Sequence, residues 1–119
     1  MIGITGGPNT GKTTLAQSMG GPCVHTDDFI GMGWSEASEH VASLFGGNGL
    51  VEGVALPRAL RKWLDANPNG RPLERLIVLS VPHVARNDGQ ERMAKGHDTV
   101  LNGILPELER RGVVIDRAD

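Results

Sequence analysis

The chain has 119 residues, enough for a single domain with a real core. Its 12 lysines and arginines against 14 aspartates and glutamates leave a net charge of −2, so long-range steering onto nucleic acid or an anionic membrane surface is not expected. One cysteine excludes a disulfide framework and a cysteine-rich metal site, and 17 glycines with few aromatic residues favour a loop-rich α/β domain over a β-sandwich.

The apolar run Met1–Thr5 predicts a first strand, and Leu15, Ala16 and Met19 at helical spacing predict a helix over Lys12–Met19, stopped by Gly20 and Gly21. Between them lies GGPNTGKTT. A second short strand is predicted over Pro22–Thr26, with Cys23 as a buried structural thiol, Asp27 and Asp28 at the strand's carboxyl end, and a glycine-rich loop from Gly31 to Gly33. A helix follows, with Ser35 as its N-cap and Ala37, Val41, Leu44 and Phe45 on one face. Leu50–Leu56 reads as a third strand, and Pro57 opens a helix over Arg58–Ala66 with Leu60, Trp63 and Leu64 on one side. Leu76–Leu79 is an uninterrupted apolar run, as expected of a central parallel strand buried on both faces.

Beyond it, Pro82–Gly96 is polar and basic, without apolar periodicity. Asp98 is the expected cap of a last helix carrying Val100, Leu101, Ile104, Leu105 and Leu108, which Pro106 should kink or shorten and Gly112 should end; Val113–Asp116 is the last strand. Strands alternating with helices predict a single α/β domain over 1–119, a doubly wound parallel sheet of five strands with a lid segment at about 82–97. No apolar stretch approaches the ~18 residues of a membrane span and no basic leader precedes an apolar one, so no membrane partner and a cytoplasmic location are expected.

Gly6-x-x-x-x-Gly11-Lys12-Thr13 matches the P-loop pattern. The loop of Gly6, Gly7, Pro8, Asn9, Thr10 and Gly11 is expected to wrap a nucleotide phosphate with its backbone N–H groups; Lys12 reaches β and γ oxygens, the Thr13 hydroxyl holds Mg²⁺, and Thr14 extends the match. In an open α/β sheet the carboxyl ends of the strands converge on one crevice, so Asp27, Asp28 and Glu52 should face this loop. Glu52, at a strand end before a glycine, suits a second metal role through bound water; Asp116 in VVID is a rival by pattern, ranked lower because it comes last in the chain. His25, His40, His83 and His97 lack metal-ligand spacing and read as surface or supporting residues. Arg58, and Trp34 after Gly31-Met32-Gly33, are candidates to touch an acceptor, Trp34 by stacking.

With these residues assembled, the chain resembles the small P-loop kinases of the nucleoside- and nucleotide-kinase-like group. Thr26-Asp27-Asp28-Phe29 stands where that group has an acid two places before an aromatic, Leu50-Val51-Glu52-Gly53 where it has apolar-Glu-Gly, and the stretch with Arg86, Arg92 and Lys95 where it has an arginine-bearing lid. The resemblance implies that Asp27 is the acceptor's base, that Asp28 orders Mg²⁺ waters or supports the base, and that Arg86 and Arg92 close on the phosphates. It implies ATP as donor, Mg²⁺, and a small-molecule acceptor, a nucleoside or nucleotide. The family pattern continues past its last strand into a loop that grips adenine, which is not among these residues. The polynucleotide 5′-kinases place an arginine where Ile30 stands, so a nucleic-acid end is the less favoured acceptor. A nucleotide hydrolase and a nucleotide-binding module without turnover are the rival readings.

Overall fold

The computed structural model describes residues 1–118; Asp119 and the side chain of Ile30 lie outside the described residues. Five strands and four helices alternate: β1 (Ile2–Gly6), α1 (Lys12–Met19), β2 (Cys23–His25), a 3₁₀ helix (Thr26–Met32), α2 (Trp34–Ala42), β3 (Leu50–Glu52), α3 (Leu56–Ala66), β4 (Arg75–Leu79), α4 (Asp88–Arg110) and β5 (Val114–Arg117). All strand pairs are parallel, in the order β2-β3-β1-β4-β5. β1 is therefore the middle strand, and Leu76–Leu79 is an inner strand beside it.

Alternation along β4 sends side chains to both faces, as its apolar run requires. Leu76 and Val78 pack with Leu56, Leu60 and Leu108 under α3 and α4, while Ile77 and Leu79 pack with Ile4 and Ala16 under α1. Helices thus cover both faces of the sheet. From β1 the chain leaves toward β2 on one side, whereas from β4 it leaves toward β5 on the other. A crevice at the carboxyl ends opens where neighbouring strands part in this way, here between β1 and β4.

Four boundaries differ from the sequence expectation. The third strand stops at Glu52 because Gly53 adopts φ 150°, where a Cβ would overlap the Thr26 hydroxyl, and the apolar Val54, Ala55 and Leu56 turn into α3 with Pro57 in its first turn. α2 starts at Trp34 after Gly33, so Ser35 lies inside its first turn and accepts from Lys62 Nζ at 2.9 Å instead of capping. Asp27 and Asp28 belong to a 3₁₀ helix that runs into Gly31 and Met32, where a loop was expected.

The largest difference is α4. It begins ten residues before Asp98, at Asp88, because Asn87 forms a capping box: its side chain accepts from Gln90 N at 2.8 Å while Gln90 Oε1 accepts from Asn87 N at 3.0 Å. Residues 88–96 of the expected lid are therefore helical, with Ala94 buried on the stripe that continues through His97, Leu101, Ile104 and Leu108. Pro106 does not end this helix; it and Asn102, whose carbonyl it leaves without a donor, are both exposed. Among the described residues no helix is long and apolar enough to cross a membrane.

Candidate functional site

The loop between β1 and α1 is tightly made. Thr10, fully buried, donates from Oγ1 to Gly7 O at 3.0 Å, Asn9 takes φ 64°, and Gly11 takes φ 85° immediately before α1. This left-handed conformation favours glycine and leads the chain from loop into helix. Residues Gly7 to Gly11 thereby bend around the amino end of α1, where unpaired N–H groups and the helix dipole favour an anion. Lys12 folds back so that Nζ donates to Gly7 O at 2.8 Å. Burial pushes its pKa down, with Arg86 adding to the effect, while Glu52 and then Asp27 oppose it.

A cavity of about 430 Å³ opens over this loop, lined by Pro8 to Thr14 together with Asp27, Val54, Gln90 and Met93. Asp27 reaches it and Asp28 does not. Glu52 stands at the end of β3, in register with Ile4 and His25, and is only 2 % exposed. His25 Nδ1 donates to its Oε1 at 2.7 Å, which fixes that carboxylate. Glu52 and Asp27 are thus the acids whose charge bears on Lys12, as convergence of the strand ends requires. Phe29 turns away, packing on the core and against the His40 ring with centroids 4.4 Å apart.

The expected arginine pair is split. Arg86 lies against the loop, donating from Nε to Pro8 O at 2.7 Å, and the stretch around it is bound there as well: His83 N donates to Asn9 O at 2.7 Å and Asn9 Nδ2 to Ala85 O at 3.4 Å. Arg92 does not reach the loop. It lines a second cavity, about 300 Å³, with Trp34, Arg58 and His97. Val54 and Met93 line both cavities, so the two adjoin. Over the Trp34 ring lies the Arg58 guanidinium, 5.5 Å from its centroid. Lys95 is exposed on α4 and lines neither cavity.

Asp116 forms an exposed ion pair with Arg75 at 3.0 Å on the edge strand β5, and lines neither cavity. Cys23 is half-buried in β2 beside the Ile4 cluster; burial, then Glu52, pushes the pKa of its thiol up. Among the described residues no group of three or more His, Cys, Asp or Glu could enclose a metal. Mg²⁺ needs no such cage, because one or two carboxylates, a hydroxyl, water and substrate phosphates complete its shell. Thr13 in the first turn of α1 and Glu52 at the end of β3 are chemically of that type.

His97 is the residue that sequence reasoning placed least well. It is 5 % exposed, with Nε2 2.8 Å from Thr5 Oγ1 and Nδ1 2.8 Å from Asp98 Oδ1. The signal was its spacing, three residues after Ala94 and four before Leu101, which puts it on the buried stripe once the helix is started at Asn87. Gln90 and Met93, also unforeseen, become cavity residues for the same reason. Comparison with protein-family models, with curated proteins and with solved structures finds no match for this chain.

Proposed function

We propose that the protein is an ATP- and Mg²⁺-dependent phosphotransferase that moves the γ-phosphoryl group to a hydroxyl or phosphate oxygen of a small molecule, a nucleoside or nucleotide. The observation that carries this reading is the pair of adjoining cavities: one is walled by Pro8–Thr14 and Asp27, the other by Trp34, Arg58 and Arg92, and Val54 and Met93 are common to both. A hydrolase needs only the first cavity. A kinase needs a donor and an acceptor side by side.

In this reading Lys12 and the loop amides hold the β- and γ-phosphates, and Arg86 sits where charge develops on the transferring group. Thr13 and Glu52 would hold Mg²⁺, directly or through water, and the ion would neutralise charge on the phosphate oxygens. Asp27 accepts the acceptor's O–H proton as its oxygen bonds to phosphorus and the P–O bond to the leaving diphosphate breaks. Arg58 and Arg92 present forked donors suited to an anionic group on the acceptor, and Trp34 a face suited to a planar one. The donor is a nucleoside triphosphate, and a nucleic-acid end is the less favoured acceptor.

The test follows loss of ATP with Mg²⁺, alone and with a panel of nucleosides and nucleoside monophosphates. Acceptor-dependent loss with a phosphorylated product is the expected result. Acceptor-independent loss would make the protein a hydrolase, and binding without loss a nucleotide-binding module.

A further inference from the structure

His97 has no part in the chemistry above, yet it lines the second cavity, which adjoins the first through Val54 and Met93. Three short contacts form one chain: Asp98 Oδ1 to His97 Nδ1 at 2.8 Å, His97 Nε2 to Thr5 Oγ1 at 2.8 Å, and Thr5 Oγ1 to the Gly53 carbonyl at 2.9 Å. Both ends of the chain are acceptors only, so the hydrogens between them can be counted. If the Thr5 hydroxyl donates to Gly53, His97 must donate to Thr5 from Nε2, and Asp98 requires a second N–H at Nδ1. Only the imidazolium carries both. A neutral ring with its hydrogen on Nδ1 draws the Thr5 hydroxyl to Nε2 instead, and the Gly53 carbonyl loses its donor.

The surroundings set which form is present. Burial and the charges of Lys12 on α1 and Arg86 before α4 hold His97 below its usual 6.5, against the raising effect of Asp98. From α3 and α4, Arg58 and Arg92 line the same cavity as the imidazole. A triphosphate over the loop brings its anionic oxygens to Lys12 and beside Arg86, which cancels two of the effects that keep the ring neutral. An opposite charge nearby favours the protonated ring.

We infer that His97 is a positioning residue that reads negative charge at the donor cavity: neutral in the ligand-free protein, it takes up a proton when a triphosphate binds, and the hydrogen gained turns the Thr5 hydroxyl onto the Gly53 carbonyl. The consequence reaches the acceptor. Gly53 lies between Glu52 and Val54, and Val54 walls both cavities, so fixing this carbonyl sets the partition between donor and acceptor once the donor is in place. This inference rests on the donor reading proposed above.

Nitrogen NMR of the imidazoles, titrated with pH in the full chain with and without a non-hydrolysable ATP analogue and Mg²⁺, measures it directly. The His97 midpoint should rise by about one pH unit with the analogue. Calorimetry of analogue binding in buffers of different ionisation enthalpy should show proton uptake that His97→Asn removes; uptake common to both proteins belongs to the phosphates. Should His97→Asn not fold, the NMR titration of the unaltered chain decides alone. A midpoint unmoved by bound analogue, or equal uptake in the variant, overturns the inference and leaves the donor reading standing. No binding of the analogue overturns both.

Discussion

Lys12 is held by one hydrogen bond to Gly7 O and sits between acids and Arg86, so its removal costs the fold little and the ligand much. Lys12→Ala should abolish triphosphate binding while lowering stability by only about 1 kcal/mol, the worth of a typical hydrogen bond. Unchanged affinity in a folded variant would falsify the phosphate role. The two neighbouring acids separate by position: Asp27 lines the cavity over the β1–α1 loop and Asp28 does not. Asp27→Asn should slow transfer by ~10²–10⁴-fold with donor affinity nearly unchanged, and Asp28→Asn by much less. Steady-state rates and donor titrations on both variants check this, and a crippled Asp28→Asn beside a healthy Asp27→Asn would reverse the assignment.

At the scale of elements, α4 matters most, because its first turns carry Gln90, Met93, Arg92 and His97 to the two cavities. Its start depends on Asn87. Replacing it with Ala should cost about 1 kcal/mol in denaturant unfolding, the usual value of an N-cap. It should also free Gln90, which accepts from Asn9 Nδ2 at 3.4 Å and so ties the helix to the β1–α1 loop. Amide hydrogen exchange provides a sharper measure. The amides of Glu91 to Gly96 should be protected without nucleotide in the unaltered chain and lose protection in Asn87→Ala; free exchange of these amides in the unaltered, nucleotide-free protein would mean that the segment is not a formed helix in solution.

For the whole molecule, stability should fall in two steps as pH drops. His97 has a lowered value in the fold, so below its usual 6.5 the unfolded chain takes the proton first, and stability declines until the pH passes the folded value. His97→Asn should remove that step. Glu107 is held at about 2 by its hydrogen bonds to Arg110 and Arg111, against an ordinary 4.5. Its contribution is present above 4.5 and is lost between 4.5 and about 2, and Glu107→Gln should remove this lower step. Urea unfolding across the pH range measures both; a curve that is flat between pH 7 and 5 would contradict the neutral, buried state of His97.

The glycine-rich loop between the first strand and first helix, and the alternation of strands and helices, could be read directly from the residues, because each depends on local rules. A glycine-lysine-threonine spacing works through neighbours in the chain, and apolar runs such as Leu76–Leu79 state their own burial. That Glu52 and Asp27 come near Lys12 was legible too, since parallel strands bring their carboxyl ends to one edge. Tertiary packing decided the rest. Val54, Ala55 and Leu56 look like strand by their run, and become a turn leading into α3 only because Gly53 lies against Thr26. Arg86 and Arg92 look alike in sequence, yet six residues along a loop and helix send one against the β1–α1 loop at Pro8 and the other to the second cavity. His97 lies 92 residues from Thr5, and no local pattern relates them. Their contact exists because α4 packs across β1, and a proton shared over that distance is a property of the folded chain alone.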